Sequence, residues 1–133
     1  MDISTKLNKF KKNLKGEIRL DKVTRVLYST DASIFEILPQ AVFYPYDNLD
    51  IINIVKFAQN EKISLHPRGA GSGMAGQALG SGIVLDFTRY MNKILDFNKE
   101  DSTITTQPGI TQGKINEFLK PNNKIFPTDP SSG

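Results

Sequence analysis

The sequence predicts an α+β fold, in which a small βαβ subdomain is followed by the start of a second, mixed α+β subdomain. Two apolar runs, at residues 41–44 and 62–66, flank an amphipathic segment, and this order is typical of a βαβ unit. A third run, at 82–87, is almost entirely apolar, as in a strand that is buried on both faces. Farther along, two short runs joined by a tight turn at 98–101 predict an antiparallel hairpin.

The first 40 residues predict a helix followed by an ordered arm. Residues 3–15 place four apolar side chains on one helical face, and Gly16 is a candidate C-terminal stop. These four are Ile3, Leu7, Phe10 and Leu14. The opposite face is rich in lysine, which suits either an anionic membrane surface or simple solvation. We interpret residues 17–40 as an ordered arm that wraps the domain whose N-terminal part is residues 41–133.

The βαβ unit is the clearest part of the pattern. Asp47 or Asn48 can cap its helix, and Asp50 in the first turn favours the helix dipole. The predicted apolar stripe consists of Ile51, Ile54, Val55 and Ala58, widened by Phe57. The crossover between the two strands should be right-handed. In open α/β sheets ligands gather at the carboxyl ends of the strands, and a glycine-rich loop leaves the second strand there.

The second subdomain begins with the hairpin. Its predicted strands are residues 93–98 and 102–107, and Pro108-Gly109 ends the second of them. Thr111 can cap a following helix that Pro121 ends. The apolar face of that helix consists of Ile115, Phe118 and Leu119.

Composition excludes several classes of function. The 133 residues are 38% apolar and 23% charged, which is a globular balance, and a net charge of +3 is too small to argue for nucleic acid. Without cysteine and with one histidine, the chain offers no disulfide and no thiolate or multi-histidine metal site. No signal peptide or membrane span is visible, so a cytoplasmic location is expected. The turn-forming string at 127–133 leads us to expect a longer parent protein.

The stretch richest in information is a glycine loop directly after the second strand. Residues 69–80 contain five glycines, although glycine loses more backbone entropy on folding than any other residue. That cost is accepted where the backbone takes positive φ or a ligand approaches it closely. Successive N–H groups in such a loop can converge on an anion. We therefore expect a phosphate or pyrophosphate there, with Arg68 as its charge partner.

Three interpretations of the loop compete with that of a flexible linker. Gly71, Gly73 and Gly76 match the dinucleotide fingerprint, but this motif needs a long helix, and Gly80-Ser81-Gly82 interrupts one. A P-loop is excluded because no Gly-Lys-Ser/Thr follows. The third interpretation, a phosphate-binding nest between two strands, is favoured because apolar strands flank the loop.

At these residues the sequence resembles the flavoprotein family named for vanillyl-alcohol oxidase and p-cresol methylhydroxylase (PCMH). The marker is a strand that ends in Pro-Arg-Gly-x-Gly-Ser/Thr. The matching segments are 67–72, 76–78, 82–92, 107–110 and 129–132. Residues 27–33 and 41–43 are similar to the branch that contains glycolate oxidase subunits and D-lactate or D-2-hydroxyglutarate dehydrogenases.

The resemblance implies a PCMH-type FAD-binding domain whose N-terminal part is residues 41–133. It implies that the pyrophosphate lies over the glycine loop and that two later segments approach the flavin or its ribityl chain. The implied FAD-binding residues are Arg68, Gly69, Ala70, Gly71, Ser72, Gly73, Gln77, Pro108, Gly109, Asp129, Pro130, Ser131 and Ser132. Some relatives attach FAD through a histidine in the loop; here residues 70–72 occupy that region, so noncovalent FAD is implied. His66 is interpreted as structural.

The resemblance also implies an activity. In this family a 2-hydroxy acid gives hydride to the flavin and becomes a 2-oxo acid, and an electron acceptor then reoxidises the flavin. The substrate domain would follow Gly133, so no catalytic residue and no metal ligand is assigned here, and this segment alone should be inactive. Two alternatives stay open: a non-redox module that binds a nucleotide or phosphometabolite, and a membrane or nucleic-acid domain that uses the lysine-rich helix.

Overall fold

The computed structural model of this chain describes residues 3–128. The α+β class is confirmed, with helices and strands interleaved along the chain. The elements are α1 (Ile3–Phe10), β1 (Glu17–Arg19), α2 (Lys22–Leu27), β2 (Ala41–Tyr44), α3 (Asn48–Glu61), β3 (Leu65–Arg68), β4 (Ile83–Asp86), β5 (Ile94–Asn98), β6 (Thr103–Thr106) and α4 (Gln112–Leu119). Two 3₁₀ turns, Lys11–Asn13 and Lys120–Asn122, follow α1 and α4.

Four strands form the main sheet, in the order β1-β2-β4-β3. The strands β2, β4 and β3 are parallel, and β1 runs antiparallel to β2 at the edge. The predicted strands on either side of α3 are therefore parallel, but β4 lies between them. All four residues of β4 are buried, which confirms the buried third strand.

The core lies where alternate residues of β2 and β4 meet the first and third helices. Ala41 pairs with Ile83 and Phe43 with Leu85, so their side chains share one face of the sheet. This face packs with Leu7 of α1 and Ile54 of α3. The predicted apolar face of the first helix is confirmed, since Ile3, Phe10 and Leu14 pack against the same cluster.

The first helix is shorter than predicted. It gives way to the 3₁₀ turn after Phe10, and Leu14 is already extended, with φ of −119° and ψ of 146°. The chain leaves the helix because the next two amides, of Lys15 and Gly16, donate to Asp50 instead. Gly16 does not end a helix: it allows the backbone to approach β2, where a Cβ would lie 2.2 Å from the Tyr44 oxygen.

The helix α3 is capped by Asp47, whose side chain accepts from the amide of Asp50. Ile54 and Ala58 are buried as predicted, but the prediction for Val55 was wrong, since its side chain is 46% exposed. The buried face instead includes Asp50, because its carboxylate has partners inside the fold. The following strand begins at Leu65 rather than at residue 62, because Lys62 ends the helix in the left-handed conformation with φ of 56°.

The arm at residues 17–40 is ordered and contains two elements. The strand β1 was not predicted, because three residues are too few to show alternation. Asp21 caps α2, and Val23 and Leu27 of that helix are largely exposed, at 71% and 67%. A single antiparallel bridge joins Thr30 to Glu36. The division of the chain at residue 40 stays a prediction.

The hairpin and the last helix are confirmed. The strands β5 and β6 pair antiparallel, with a register irregularity between Ile94 and Asp96. Thr111 caps α4, and Ile115 and Leu119 are its buried residues. Phe118 is half-exposed and meets Phe97 of the hairpin edge-on, with ring centroids 5.7 Å apart. No helix within residues 3–128 is both long enough and apolar enough to cross a membrane.

A buried carboxylate joins three segments of the fold. Asp50 is only 2% exposed and accepts hydrogen bonds from the amides of Lys15, Gly16 and Tyr46 at 2.7–2.9 Å. Lys15 and Gly16 directly precede β1, Tyr46 follows β2, and Asp50 lies in the first turn of α3. Charge-assisted bonds of this kind are stronger than neutral ones, so this side chain fixes the edge of the sheet against the helix.

We expect Asp50→Ala to lower the free energy of unfolding by about 3 kcal/mol, because three amides lose a charged acceptor. Asp50→Asn should cost about 1 kcal/mol, because one oxygen can still accept. Urea unfolding of the purified protein measures both. The control is Asp96→Asn on the exposed side of β5, expected within about 0.5 kcal/mol of wild type. Equal stability of Asp50→Ala and wild type would contradict this role.

Candidate functional site

The glycine loop, residues 69–82, joins two neighbouring strands at their opposite ends. It leaves the carboxyl end of β3 and returns to the start of β4, and it contains no helix. A dinucleotide fingerprint with a long helix behind its last glycine is therefore absent. The loop closes tightly: a Cβ on Gly82 would lie 1.9 Å from the Ser64 oxygen, and one on Gly80 would meet the ring of His66.

Gly71 has the conformation that the sequence led us to expect of a nest. Its φ is +71°, a region that only glycine enters freely. Its carbonyl accepts a hydrogen bond from the amide of Ala32 at 3.0 Å. A Cβ at this position would lie 2.5 Å from Nη2 of Arg68, so a side chain here would push the guanidinium away.

The first residues of the loop offer unused hydrogen-bond donors. Within the described part of the chain, the N–H groups of residues 69–73 donate to no protein acceptor. A Cβ on Gly73 would meet the side chain of Gln77, whose Oε1 accepts from the Ala75 amide at 3.2 Å. Five successive free amides, with Gly71 in the left-handed conformation, can bind an oxyanion.

Arg68 sits between the loop and the arm. Its Nη1 donates to the carbonyl of Thr30 at 2.8 Å, and its guanidinium carbon lies 5.0 Å from the centroid of the Tyr28 ring. Because a guanidinium has five N–H donors, one bond to Thr30 leaves others for an anion. The predicted charge partner is thus held next to Gly71 rather than free in solvent.

A second buried carboxylate lies under this arginine. Asp86, the last residue of β4, is paired in register with Arg68 and accepts from the Tyr28 hydroxyl at 2.5 Å. Its other oxygen accepts from the amide and the hydroxyl of Thr88 at 2.8 and 2.6 Å. Burial, and then the bond to Asp86, raises the pKa of Tyr28, so the phenol stays neutral and remains the donor.

Residues 28–32 were not predicted to belong to the site, yet they contact it at several points. Their signal in the sequence was the similarity of residues 27–33 to one branch of the flavoprotein family. Asp31, in the same stretch, is held by the side chain and amide of Ser33, and these bonds lower the pKa of its carboxyl. Composition and spacing alone did not indicate that this stretch touches the loop.

Pro108 and Gly109 lie at the same end of the sheet. The amide of Gly109 donates to the Met91 carbonyl at 2.8 Å, and a Cβ there would lie 2.1 Å from the Phe87 oxygen. Phe87 in turn donates its amide to the carbonyl of Arg68 at 3.2 Å. Pro108-Gly109, the second segment predicted to bind the flavin, is therefore connected through Phe87 to Arg68, where the glycine loop begins. The third predicted segment, Asp129 to Ser132, lies outside the described residues.

A cavity of about 490 Å³ opens beside Pro108, between the hairpin and the start of α3. Its lining residues are Lys15, Asp47, Asn48, Leu49, Met91, Leu95, Thr106, Gln107 and Pro108. This volume suits part of a small molecule, but the glycine loop does not line it. Among residues 3–128 no three histidine or acidic side chains cluster as metal ligands would.

Comparison with known proteins gives the family context. Residues 39–133 match the model of a family described as FAD binding domain. The chain is similar to D-2-hydroxyglutarate dehydrogenase of Escherichia coli (strain K12), with 35% identity over 120 residues. That match covers 88% of this chain but only 12% of the relative.

Two solved structures show the same fold. Alkyldihydroxyacetonephosphate synthase superimposes with a TM-score of 0.85 at 19% identity, over 99% of this chain and 27% of that one. p-Cresol methylhydroxylase with bound substrate gives a TM-score of 0.71 at 20% identity, over 90% of this chain and 25% of that one. At these identities the likeness establishes the fold, and the PCMH-type architecture is confirmed.

Proposed function

The chain belongs to the FAD binding domain family, and from that premise we propose that it binds FAD in an enzyme that oxidises a 2-hydroxy acid to the 2-oxo acid. The family match supports the cofactor. The similarity to D-2-hydroxyglutarate dehydrogenase supports the substrate class, although this chain spans only 12% of that enzyme. The observation that carries the proposal is the loop at 69–73, with its free amides beside Arg68.

In this proposal the loop binds the pyrophosphate of FAD. The amides of Gly69, Ala70, Gly71, Ser72 and Gly73 supply the hydrogen bonds, and the free N–H groups of Arg68 supply positive charge. Gln77 packs across Gly73 and orders the far side of the loop. A non-redox nucleotide module is not favoured, because the family model describes FAD binding.

The second segment, Pro108-Gly109, approaches the flavin or its ribityl chain in the proposal, together with Asp129, Pro130, Ser131 and Ser132. Its position follows from the contact of Gly109 with Phe87, at the end of the sheet where the loop lies. When bound, FAD supplies the hydride acceptor. The chain's own residues bind and orient the cofactor, while substrate binding and proton removal are assigned to residues beyond this segment.

We further propose that FAD is bound noncovalently. Residues 70–72, where some relatives carry a histidine, are Ala, Gly and Ser, and the chain has no cysteine. The one histidine, His66, is engaged elsewhere: its Nε2 lies 2.9 Å from the Ser64 hydroxyl and its ring packs against Gly80. The glycine loop therefore offers the flavin ring neither a histidine nor a cysteine.

The test of function uses the protein that carries this chain, purified with its flavin. Anaerobic addition of D-2-hydroxyglutarate, D-lactate or glycolate should bleach the absorbance of the oxidised flavin, because hydride passes to the cofactor. The L-enantiomers of the two chiral acids serve as controls. Protein without flavin, or flavin that none of the three acids reduces, would overturn the proposal.

Gly71→Ala should weaken FAD binding about tenfold or more, because an L-residue is strained at positive φ and its Cβ displaces Arg68. Titration of the apoprotein with FAD measures the dissociation constant. Gly113→Ala is the matched control, since Gly113 lies on α4 with open space around it. That control should keep wild-type affinity and gain about 0.5–1 kcal/mol in unfolding free energy. Wild-type affinity in both variants would rule out the nest.

Denaturation should separate all of the flavin from the polypeptide. Acid precipitation or detergent, followed by ultrafiltration, should leave the flavin fluorescence entirely in the filtrate. Fluorescence that stays with a peptide from residues 1–133 would refute noncovalent binding. Wild-type protein and His66→Asn should behave alike in this assay, because His66 carries no flavin in the proposal.

A further inference from the structure

Two hydrogen bonds join the arm to the glycine loop across a long stretch of sequence. The amide of Ala32 donates to the carbonyl of Gly71 at 3.0 Å, and Nη1 of Arg68 donates to the carbonyl of Thr30 at 2.8 Å. Each bond has one partner in the arm and one in the loop or at its entrance. Residues 28–32, which we term the clamp, are therefore fixed to the loop at two points.

The first bond determines the direction of a free amide. The Gly71–Ser72 peptide is trans, so its carbonyl and its N–H point in opposite directions. Because the Gly71 carbonyl points at Ala32, the Ser72 N–H points away from the clamp and stays available to a ligand. Without the Ala32 bond, this peptide plane could rotate and the donor would lose its fixed direction.

The second bond belongs to a stack that reaches the centre of the sheet. The ring of Tyr28 lies under the Arg68 guanidinium, and its hydroxyl donates to Asp86. Asp86 is 6% exposed and is also held by Thr88. Tyr28 therefore links the cation at the entrance of the loop to the most buried strand. Stacking occupies one face of the guanidinium and leaves donors at its edge free.

We propose that Tyr28 is a positioning residue, and that the clamp holds Arg68 and Gly71 in the conformation that accepts the pyrophosphate. This inference rests on the proposed FAD-binding function of the loop. The clamp itself does not touch the cofactor in the proposal. It raises affinity because the loop is ordered before the ligand arrives, so less conformational entropy is lost on binding.

Four variants and two controls test the clamp in the protein that carries this chain. Tyr28→Phe keeps the ring under Arg68 but removes the bond to Asp86, whereas Tyr28→Leu removes both contacts. Ala32→Pro removes the amide that bonds to Gly71, and Ala32→Ser keeps it. The controls are Gly71→Ala, which alters the loop directly, and Tyr90→Leu. Tyr90 makes the same type of contact with Arg89, at 5.2 Å, and its ring meets that of Tyr46.

The first measurement is the FAD dissociation constant of each apoprotein. Tyr28→Leu and Ala32→Pro should each weaken binding about tenfold, which lies within the range of one cation–π contact or hydrogen bond. Tyr28→Phe should lose less than Tyr28→Leu, because the ring that supports Arg68 remains. Ala32→Ser and Tyr90→Leu should bind as wild type does.

The second measurement distinguishes positioning from general stability. Hydrogen–deuterium exchange of the flavin-loaded protein should rise in peptides that cover residues 68–80 of Tyr28→Phe, while peptides that cover β2 and α3 exchange as in wild type. A purely structural role would raise exchange throughout the sheet. Tyr28→Phe keeps the ring and therefore serves if Tyr28→Leu or Ala32→Pro fails to fold.

The outcomes separate this inference from the function on which it rests. If Gly71→Ala weakens FAD binding while Tyr28→Leu, Tyr28→Phe and Ala32→Pro bind at wild-type affinity, the clamp is wrong and the nest stands. If Gly71→Ala also binds normally, the proposed function of the loop fails with it. The clamp is supported if FAD affinity falls more in Tyr28→Leu than in Tyr28→Phe and hydrogen exchange rises only in residues 68–80.

Discussion

The site depends on the pairing of β4 with β2 on one side and β3 on the other. All four residues of β4 are buried, so a slip by one residue would move every side chain of this strand to the opposite, equally packed face of the sheet. Its register with β3 places Asp86 opposite Arg68, where the glycine loop begins. Its other end is fixed by Gly82, which passes so close to Ser64 that no side chain fits. The loop is therefore held at both ends beside the most buried strand of the sheet.

Much of this architecture could be predicted from sequence because it follows from local patterns. The apolar run of β4, the cap at Asp47 and the hairpin turn all have short-range causes. The buried face of α3 was misjudged at Val55 because apolar spacing cannot show that a carboxylate will turn inward. Asp50 does so for three amides from distant segments, and only the tertiary structure brings them together.

For the candidate site too, local sequence patterns could not show the contacts between distant segments. Glycine density identified the loop, because left-handed φ and close approach restrict the residue type locally. The clamp could not be predicted in this way, because its bonds to the loop use backbone groups. The carbonyl of Thr30 would be present in any residue, and the amide of Ala32 in any residue except proline. Tyr28 contributes a distinctive side chain, but nothing in its immediate neighbours predicts that it reaches Asp86. The resemblance to a flavoprotein branch pointed to this stretch without a physical reason, which the structure supplies.

The position of β4 between its two parallel neighbours also determines the order in which the chain can assemble. While the chain emerges from the ribosome, β2, α3 and β3 are complete before β4 exists, yet β2 and β3 share no hydrogen bonds in the finished sheet. The two strands have no ladder to form until residues 83–86 arrive and insert between them. Parallel pairings of such sequence separation form slowly, because the intervening chain must first be closed. The glycine loop is closed in that same step, so the end of the sheet that carries the loop cannot form before residue 86 has been made.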